Sequence, residues 1–183
     1  MGIGIPKSGE QRQGTPTVYA RVIHPSPEPI GAVGAQSSTR GRVYLIPFDV
    51  PDGTIEKVYV PLNSIGGGAV RFALYQGSSD SPQGQTKLAD TGNVGGGVPG
   101  NVASATFNYA VSAGQYWLAM TCSTSAVAYL VGFARQVNRF CSATFSYRAG
   151  SLASNTIALP SPCPTVTIPG SDAMYFASLE VAT

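Results

Sequence analysis

The sequence has few of the residues on which enzyme active sites usually depend. It contains one histidine, His24, and only 11% of its 183 residues are charged. His24 lies in the Pro-rich stretch "VIHPSPEP", so a Ser-His-Asp or Cys-His apparatus would take its base from an irregular segment. Asp49 and Asp52 share one tight turn, and Glu10, Glu28, Glu56 and Glu180 stand alone. We therefore expect no catalytic residues and a non-enzymatic protein.

Cysteine is also scarce, and its spacing does not indicate a metal site. Cys122, Cys141 and Cys163 cannot all pair within one chain, and none lies in a CxxC spacing. We expect buried, reduced thiols, with one internal disulfide as the open alternative. Asp80 and Asp90 could offer oxygen ligands to calcium, but no DxDxDG spacing supports such a site. The expectation is no metal and no cofactor.

Strong charge and long apolar runs are absent as well. Eleven basic and nine acidic residues give a net charge of +2, and the arginines are scattered, so we expect no nucleic-acid partner. The apolar window at Ala126–Ala134 is far shorter than the roughly 20 residues that a membrane helix needs, so we expect no membrane insertion. The start "MGIGIPKSGEQRQG" does not have the pattern of a secretory signal. The triple-glycine segments "IGGGAV" and "VGGGVP" are not followed by the Lys and Ser/Thr of a phosphate loop.

The chain does have many turn residues, 22 Gly and 14 Pro, and they divide it into two parts. Residues 1–40 show no sustained periodicity and alternate polar residues with Pro and Gly, which favours extended backbone. We interpret them as an N-terminal arm for attachment or oligomer contact, in which "TVYARVI" and "IGAV" could each add a strand. Residues 41–183 carry short β-type runs separated by turn signals, the pattern of a β-sandwich domain.

Alternation of apolar and polar residues predicts about eight strands and almost no helix. It is clearest in "TIEKVYVPL", "VRFALY", "TFNYAV" and "QYWLAMTC", and "RVYLIPFDV", "VAYLVGFA", "SATFSYRA" and "MYFASLEVAT" are further candidates. Pro47 indicates that its strand lies at an edge or carries a bulge, because Pro cannot donate to a ladder. The predicted fold is an all-β, antiparallel, jelly-roll-like β-sandwich preceded by an extended N-terminal arm.

Three segments in a fixed order are more specific than composition: "RVYLIPFDVPDGTIEKVYVPL", "AVRFALYQGSSDSPQGQTKLADTG" and "SAGQYWLAM". Together they resemble a jelly-roll-like β-sandwich domain of fibre and spike proteins from tailed bacteriophages and related gene-transfer particles. The resemblance covers about 80 residues, Arg42–Met120. It depends on these positions: Pro47, Phe48, Tyr75, Pro82, Leu88, Asp90, Thr91, Gly92 and Gly114–Ala119.

The resemblance implies a non-enzymatic structural protein of the virion, assembled in the host cytoplasm. Such a protein would be a tail-fibre or head-spike component, or an adaptor, that docks to the particle through its arm and presents the sandwich for host attachment or further fibre assembly. The implied partners are capsid, portal, tail or fibre subunits, a homo-oligomer with a trimer favoured, and a host cell-surface glycan. No receptor-contacting residue can be transferred, because the matching positions are scaffold residues.

Two alternatives to a fibre or spike component stay open at this point, and a third belongs to the enzymes. A capsid-decorating protein would use the same arm and sandwich. A free carbohydrate-binding module would be a monomer with an exposed row of aromatic side chains, drawn from nine Tyr and one Trp. A small glycan-active enzyme would require two acidic side chains that converge in a cleft.

Overall fold

The computed structural model describes residues 20–23, 29–37, 39–64, 68–77, 81–95, 102–124, 128–134, 148–152, 157–167 and 173–183. Within these ranges the regular structure consists of twelve β-strands and includes no helix. The described residues form no helix that is long and apolar enough to span a membrane. The strands are β1 (Ala20–Ile23), β2 (Pro29–Ser37), β3 (Arg42–Val50), β4 (Gly53–Ser64), β5 (Ala69–Gln76), β6 (Lys87–Gly95), β7 (Val102–Val111), β8 (Gly114–Cys122), β9 (Ala128–Ala134), β10 (Arg148–Ser151), β11 (Ala173–Tyr175) and β12 (Ser178–Ala182).

The strands form two antiparallel sheets packed face to face. The five-stranded sheet has the order β10-β3-β8-β5-β6. The seven-stranded sheet has the order β1-β12-β4-β9-β11, with β7 also paired to β4 and β2 also paired to β9. This arrangement confirms the predicted all-β sandwich.

The alternation in the sequence places the main core between the sheets. In β5 the side chains of Val70, Phe72 and Leu74 point into this core, and in β8 Leu118 and Met120 do the same. The opposing sheet contributes apolar side chains from β4, β11 and β12: Ile55, Val58, Val60, Leu62, Tyr175, Leu179 and Val181. We call these residues of both sheets, together with the other buried side chains packed among them, such as Cys122, the sandwich core.

A second apolar cluster covers the outer face of the five-stranded sheet. Residues 157–167, which we call the strap, cross this face and bury Leu159, Cys163 and Val166 against it. The opposing sheet residues are Val43, Leu45, Ala73, Tyr75, Trp117 and Ala119, joined by Leu152. We call this set the outer cluster, and because of it β3, β5 and β8 are buried on both faces.

Two strands lie within residues 1–40. β1 pairs with β12 over Ala20–Ile23, and β2 pairs with β9 over Pro29–Ser37. The runs "TVYARVI" and "IGAV" therefore contain strands of the seven-stranded sheet. The role of residues 1–40 as an attachment arm stays a prediction.

Among the described residues, Pro47 lies beyond the part of β3 that pairs with strands on both sides. β3 pairs with β8 along its whole length, with Pro47 opposite Trp117. In the described residues β10 pairs with β3 only over Arg42–Leu45, so the residue without an N–H lies beyond that ladder.

Candidate functional site

The hairpin between β5 and β6 carries the turn that receives the strap. The backbone N–H of Gln85 donates to the carbonyl of Pro82 at 3.0 Å, which closes a four-residue turn. Gly84 has φ 78°, a backbone conformation that the third position of a type II turn requires and that glycine adopts without strain. The described part of the loop "SSDSPQGQ" is therefore a hairpin connection.

The strap is hydrogen-bonded to this turn through both backbone and side chains. The N–H of Gly84 donates to the carbonyl of Cys163, and the N–H of Cys163 donates to the carbonyl of Gln85, both at 2.9 Å. The N–H of Lys87 donates to Ser161 Oγ at 3.2 Å. The Ser161–Pro162 peptide bond in this part of the strap is cis. The strap thus continues the hydrogen bonding of the β5–β6 hairpin on the outer face of the sheet.

Asp90 is the centre of a charged cluster beside the strap. Its carboxylate accepts hydrogen bonds from Arg71 Nε at 2.6 Å, from Lys87 Nζ at 2.9 Å and from the N–H of Gly92 at 2.9 Å. Lys87 Nζ also donates to the carbonyl of Leu159 at 2.7 Å. Burial by itself would raise the pKa of Asp90, but the bonds from Arg71, Lys87 and Gly92 outweigh it and lower the pKa below its usual 3.8. The carboxylate is therefore ionised at neutral pH and holds the ammonium group against the strap.

The segment "LADTG" forms a bulge in β6. Arg71 is opposite Asn93 and Ala73 is opposite Asp90, so β6 has extra residues opposite Phe72. The N–H of Phe72 donates to Thr91 Oγ1 at 3.1 Å, and Gly92 has φ 67°. The hydroxyl of Thr91 therefore supplies the acceptor that the interrupted ladder does not, and Gly92 permits the left-handed backbone.

Two titratable side chains lie between the strap and the sheet, Cys163 on the strap and Tyr75 on β5, and neither is a nucleophile at neutral pH. Burial raises the pKa of the Cys163 thiol to about 12. Burial also raises the pKa of Tyr75, with smaller effects from Cys163 and Asp90, and its hydroxyl donates to the carbonyl of Pro160 at 2.6 Å. Because the thiolate is the reactive form of cysteine, a protonated Cys163 is chemically inert in the closed structure.

Three buried polar atoms on β8 have no hydrogen-bond partner in the described part of the chain. They are Trp117 Nε1, Thr121 Oγ1 and Gln115 Nε2. These residues alternate along β8 and therefore face the outer side of the sheet, where the outer cluster lies. Buried polar groups in proteins nearly always have a hydrogen-bond partner, so three such atoms on one face of a strand are unusual.

The acidic residues named from the sequence have separate structural positions. Asp52 Oδ1 accepts the N–H of Ala113 at 2.7 Å and so fastens the turn before β8. The hydroxyl of Tyr59 donates to Glu180 on the neighbouring strand. Asp49 is exposed on β3, opposite Gln115.

The remaining candidates include two buried cysteines and five residues outside the described ranges. Cys122, in the sandwich core, and Cys163, in the outer cluster, are both buried, and neither forms a disulfide bond. Five of the named residues lie outside the described residues: Glu10, His24, Glu28, Asp80 and Cys141. Among the described ranges no three His, Cys, Asp or Glu side chains are grouped so that they could hold a metal ion.

Sequence reasoning did not identify the strap or its docking face. The signal was present in "RVYLIPFDV", where Val43 and Leu45 on one side alternate with Tyr44, Ile46 and Phe48 on the other. A strand that is apolar on both sides is typical of a strand buried on both faces. The strap itself, rich in Ser and Pro, has no periodicity that could reveal its position.

Comparison of the chain with protein-family models found no match, and comparison with curated proteins also found none. The resemblance to fibre and spike domains therefore stays a prediction from the ordered motifs.

Proposed function

We propose that the chain is a non-enzymatic structural protein of a virus particle, a fibre or spike component or an adaptor. In this proposal residues 1–40 dock to other virion proteins, and the β-sandwich is presented for host-surface adhesion or further fibre assembly. Its action is binding through an oligomer, with a trimer favoured, in which symmetry multiplies weak contacts with a cell-surface glycan.

The observation that carries the proposal is the position of the ordered motifs in the fold. Pro47 and Phe48 lie on β3, Tyr75 lies on β5, "LADTG" lies on β6 and "YWLA" lies on β8. These four strands are consecutive neighbours in the five-stranded sheet. Segments separated by about 70 residues thus combine into one scaffold, which supports interpreting them as one type of domain rather than as unrelated turns.

An edge strand within the arm offers a second support. β1 is the terminal strand of its sheet and pairs only with β12 in the described residues. Val22 on this strand is 54% exposed, whereas most other large apolar side chains that the structure describes are buried. An exposed apolar side chain on a terminal strand, directly after residues 1–19, suits a contact with another subunit.

The alternative of a free carbohydrate-binding module gains no comparable support. It calls for an exposed aromatic row, whereas Trp117 and Tyr75 are fully buried beneath the strap. The other tyrosines with an assigned burial, at positions 44, 59, 109, 116 and 175, are buried or half-buried.

Size-exclusion chromatography with light scattering tests the oligomer on the full chain. A stable trimer or higher oligomer is expected, and a strict monomer at micromolar concentration would contradict the proposal.

Docking by the arm is tested with two truncations that respect the strands. Removal of residues 1–19 leaves β1 and β2 in place, so the remaining chain should keep the far-UV circular dichroism of the full chain. Supplied in a lysate that contains assembling particles, the full chain should co-sediment with the particles and the truncated chain should not. Removal of residues 1–10 serves as the matched shorter deletion. Equal co-sedimentation of all three chains would refute docking through the arm.

A further inference from the structure

The sandwich core and the outer cluster have no residue in common. The strap contributes Leu159, Cys163 and Val166 to the outer cluster and nothing to the sandwich core. The ladders that hold the five-stranded sheet together involve β10, β3, β8, β5 and β6, none of which includes strap residues. Separation of the strap from the sheet would therefore leave the two-sheet packing complete.

Five hydrogen bonds attach the strap to the hairpin end of the sheet. Four of them go to Gly84, Gln85 and Lys87, and the fifth joins Tyr75 to Pro160. At the other end the strap approaches Gly150 so closely that an added Cβ would lie 2.4 Å from the carbonyl oxygen of Thr165. The strap is therefore fastened to the hairpin by directional bonds and packs closely against β10.

Lys87 makes two of the hairpin-end bonds, and Asp90 determines where its side chain points. The ammonium group lies between Asp90 Oδ2 at 2.9 Å and the carbonyl of Leu159 at 2.7 Å. Arg71 and the N–H of Gly92 hold the same carboxylate from the other side. A lysine without this partner would regain its rotamers and hydrate its charge, so the bond to the strap would weaken.

The closed position also carries a cost that opening would relieve. Trp117 belongs to the outer cluster that the strap covers, and its Nε1 is buried with no hydrogen-bond partner among the described residues. Opening of the strap would let water reach this atom, and hydration would return part of the free energy that its burial removes.

We propose that the strap opens as a unit while the sandwich stays closed, and that Asp90 is the positioning residue that holds it shut through Lys87. The strap then acts as a cover, and its opening exposes the aromatic side chains of Trp117 and Tyr75 on the outer face of the five-stranded sheet. This inference is independent of the proposed role in a virus particle.

The chain supplies its own reporters for a test. Cys163 on the inner side of the strap is 3% exposed, and Cys122 is fully buried in the sandwich core. In a Cys141→Ser background of the full chain, N-ethylmaleimide labelling of these two thiols is followed by peptide mass spectrometry. The Cys163 rate reports strap opening, and the Cys122 rate reports global unfolding.

Asp90→Asn and Lys87→Met should each raise the Cys163 labelling rate roughly tenfold, the effect of losing one charge-assisted hydrogen bond. Both changes also weaken the closed fold relative to the unfolded chain, so the Cys122 rate rises as well, but Cys163 should label faster than Cys122 in the wild type and in every variant. Asp52→Asn is the matched control, since it neutralises a hydrogen-bonded carboxylate at the turn before β8 and should leave both rates unchanged. Equal labelling rates of Cys163 and Cys122, with the same dependence on urea, would overturn the proposal because both thiols would then react only in the unfolded chain. An unchanged Cys163 rate in both strap variants would also overturn it.

The double variant distinguishes positioning through Lys87 from an independent structural effect. Because Asp90 acts on the strap through the lysine, adding Asp90→Asn to Lys87→Met should change the Cys163 rate by less than about twofold. Rates that multiply, giving roughly a hundredfold rise, would show that Asp90 does not act through Lys87.

Discussion

Gly77 is the position where the structure predicts the sharpest effect of one added methyl group. It follows β5 and is buried against the backbone of β8. A Cβ built there would lie 2.0 Å from the carbonyl oxygen of Gln115 and 2.7 Å from the nitrogen of Tyr116, whereas real Cβ atoms stay beyond 3.0 Å. Both neighbours are main-chain atoms, so no side-chain rotation relieves the overlap. Gly77→Ala must move the chain by about 1 Å or more at this point.

The expected loss of stability has two parts, the steric overlap itself and the weakened hydrogen bonding of the adjacent residue pair. Overpacking of this kind costs about 1–3 kcal/mol. The adjacent pair Gln76–Tyr116 is the last rung of the β5–β8 ladder, and losing a hydrogen bond there adds about 0.5–1.5 kcal/mol. The free energy of unfolding should therefore fall by about 2–4 kcal/mol, and the melting temperature by about 4–16 °C for a domain of this size.

Gly114→Ala is the matched control for this substitution. Gly114 begins β8, has no atom within 4 Å of an added Cβ and does not require a positive φ. Its replacement should change stability by no more than about 0.5 kcal/mol. Urea unfolding followed by far-UV circular dichroism and by the fluorescence of Trp117, the single tryptophan, measures both variants. Equal stability of the two variants would refute the steric reasoning.

Three further predictions concern hydrogen bonds of the core and the bulge. Thr91→Val should cost about 1–2 kcal/mol in urea unfolding because the N–H of Phe72 loses its acceptor, whereas Thr91→Ser, which keeps the hydroxyl, should cost less than half as much. Tyr175→Phe should cost about 1 kcal/mol in the same assay, since the buried hydroxyl donates across the sandwich to the carbonyl of Leu118 at 3.0 Å; no loss would show that this bond contributes nothing. Because the pKa of Asp90 is lowered in the fold, its stabilisation is present above the unfolded pKa of about 3.9 and is lost as pH falls through the folded pKa. The stability gap between the wild type and Asp90→Asn, measured from urea midpoints, should thus shrink on acidification below about pH 5, and a gap that stays constant down to pH 3 would count against it.

The strands of the sandwich could be predicted where one face is apolar and the other polar. Val58, Val60 and Leu62 in β4 are buried as their alternation indicates, and Val70, Phe72 and Leu74 in β5 behave in the same way. Turn residues identified the connection at Gly84 for the same local reason. These features depend on neighbours along the chain, which is the information that a single sequence contains.

The features that could not be predicted depend on contacts between distant segments. β6 contains Asp90, Thr91 and Gly92, whose composition favours a turn, and it is not among the eight strands that alternation predicts. In the fold a side-chain hydroxyl and a positive φ make those same residues compatible with a bulged strand. The strap was missed because its place is determined by Lys87 and the hairpin turn, about 70 residues earlier, and by no pattern of its own.

The motif residues therefore stabilise the folded sheet and its strap, which is a different role from that of a binding loop. Tyr75 and Asp90, two positions on which the resemblance depends, both contact the strap, directly or through Lys87. Thr91 and Gly92 form the bulge that places Asp90 opposite Ala73. A sequence pattern that requires these residues describes how the sheet is folded and covered, and it leaves the identity of a ligand undetermined. Substitutions at these positions therefore test the fold, and the proposals about function are tested at the arm and the strap.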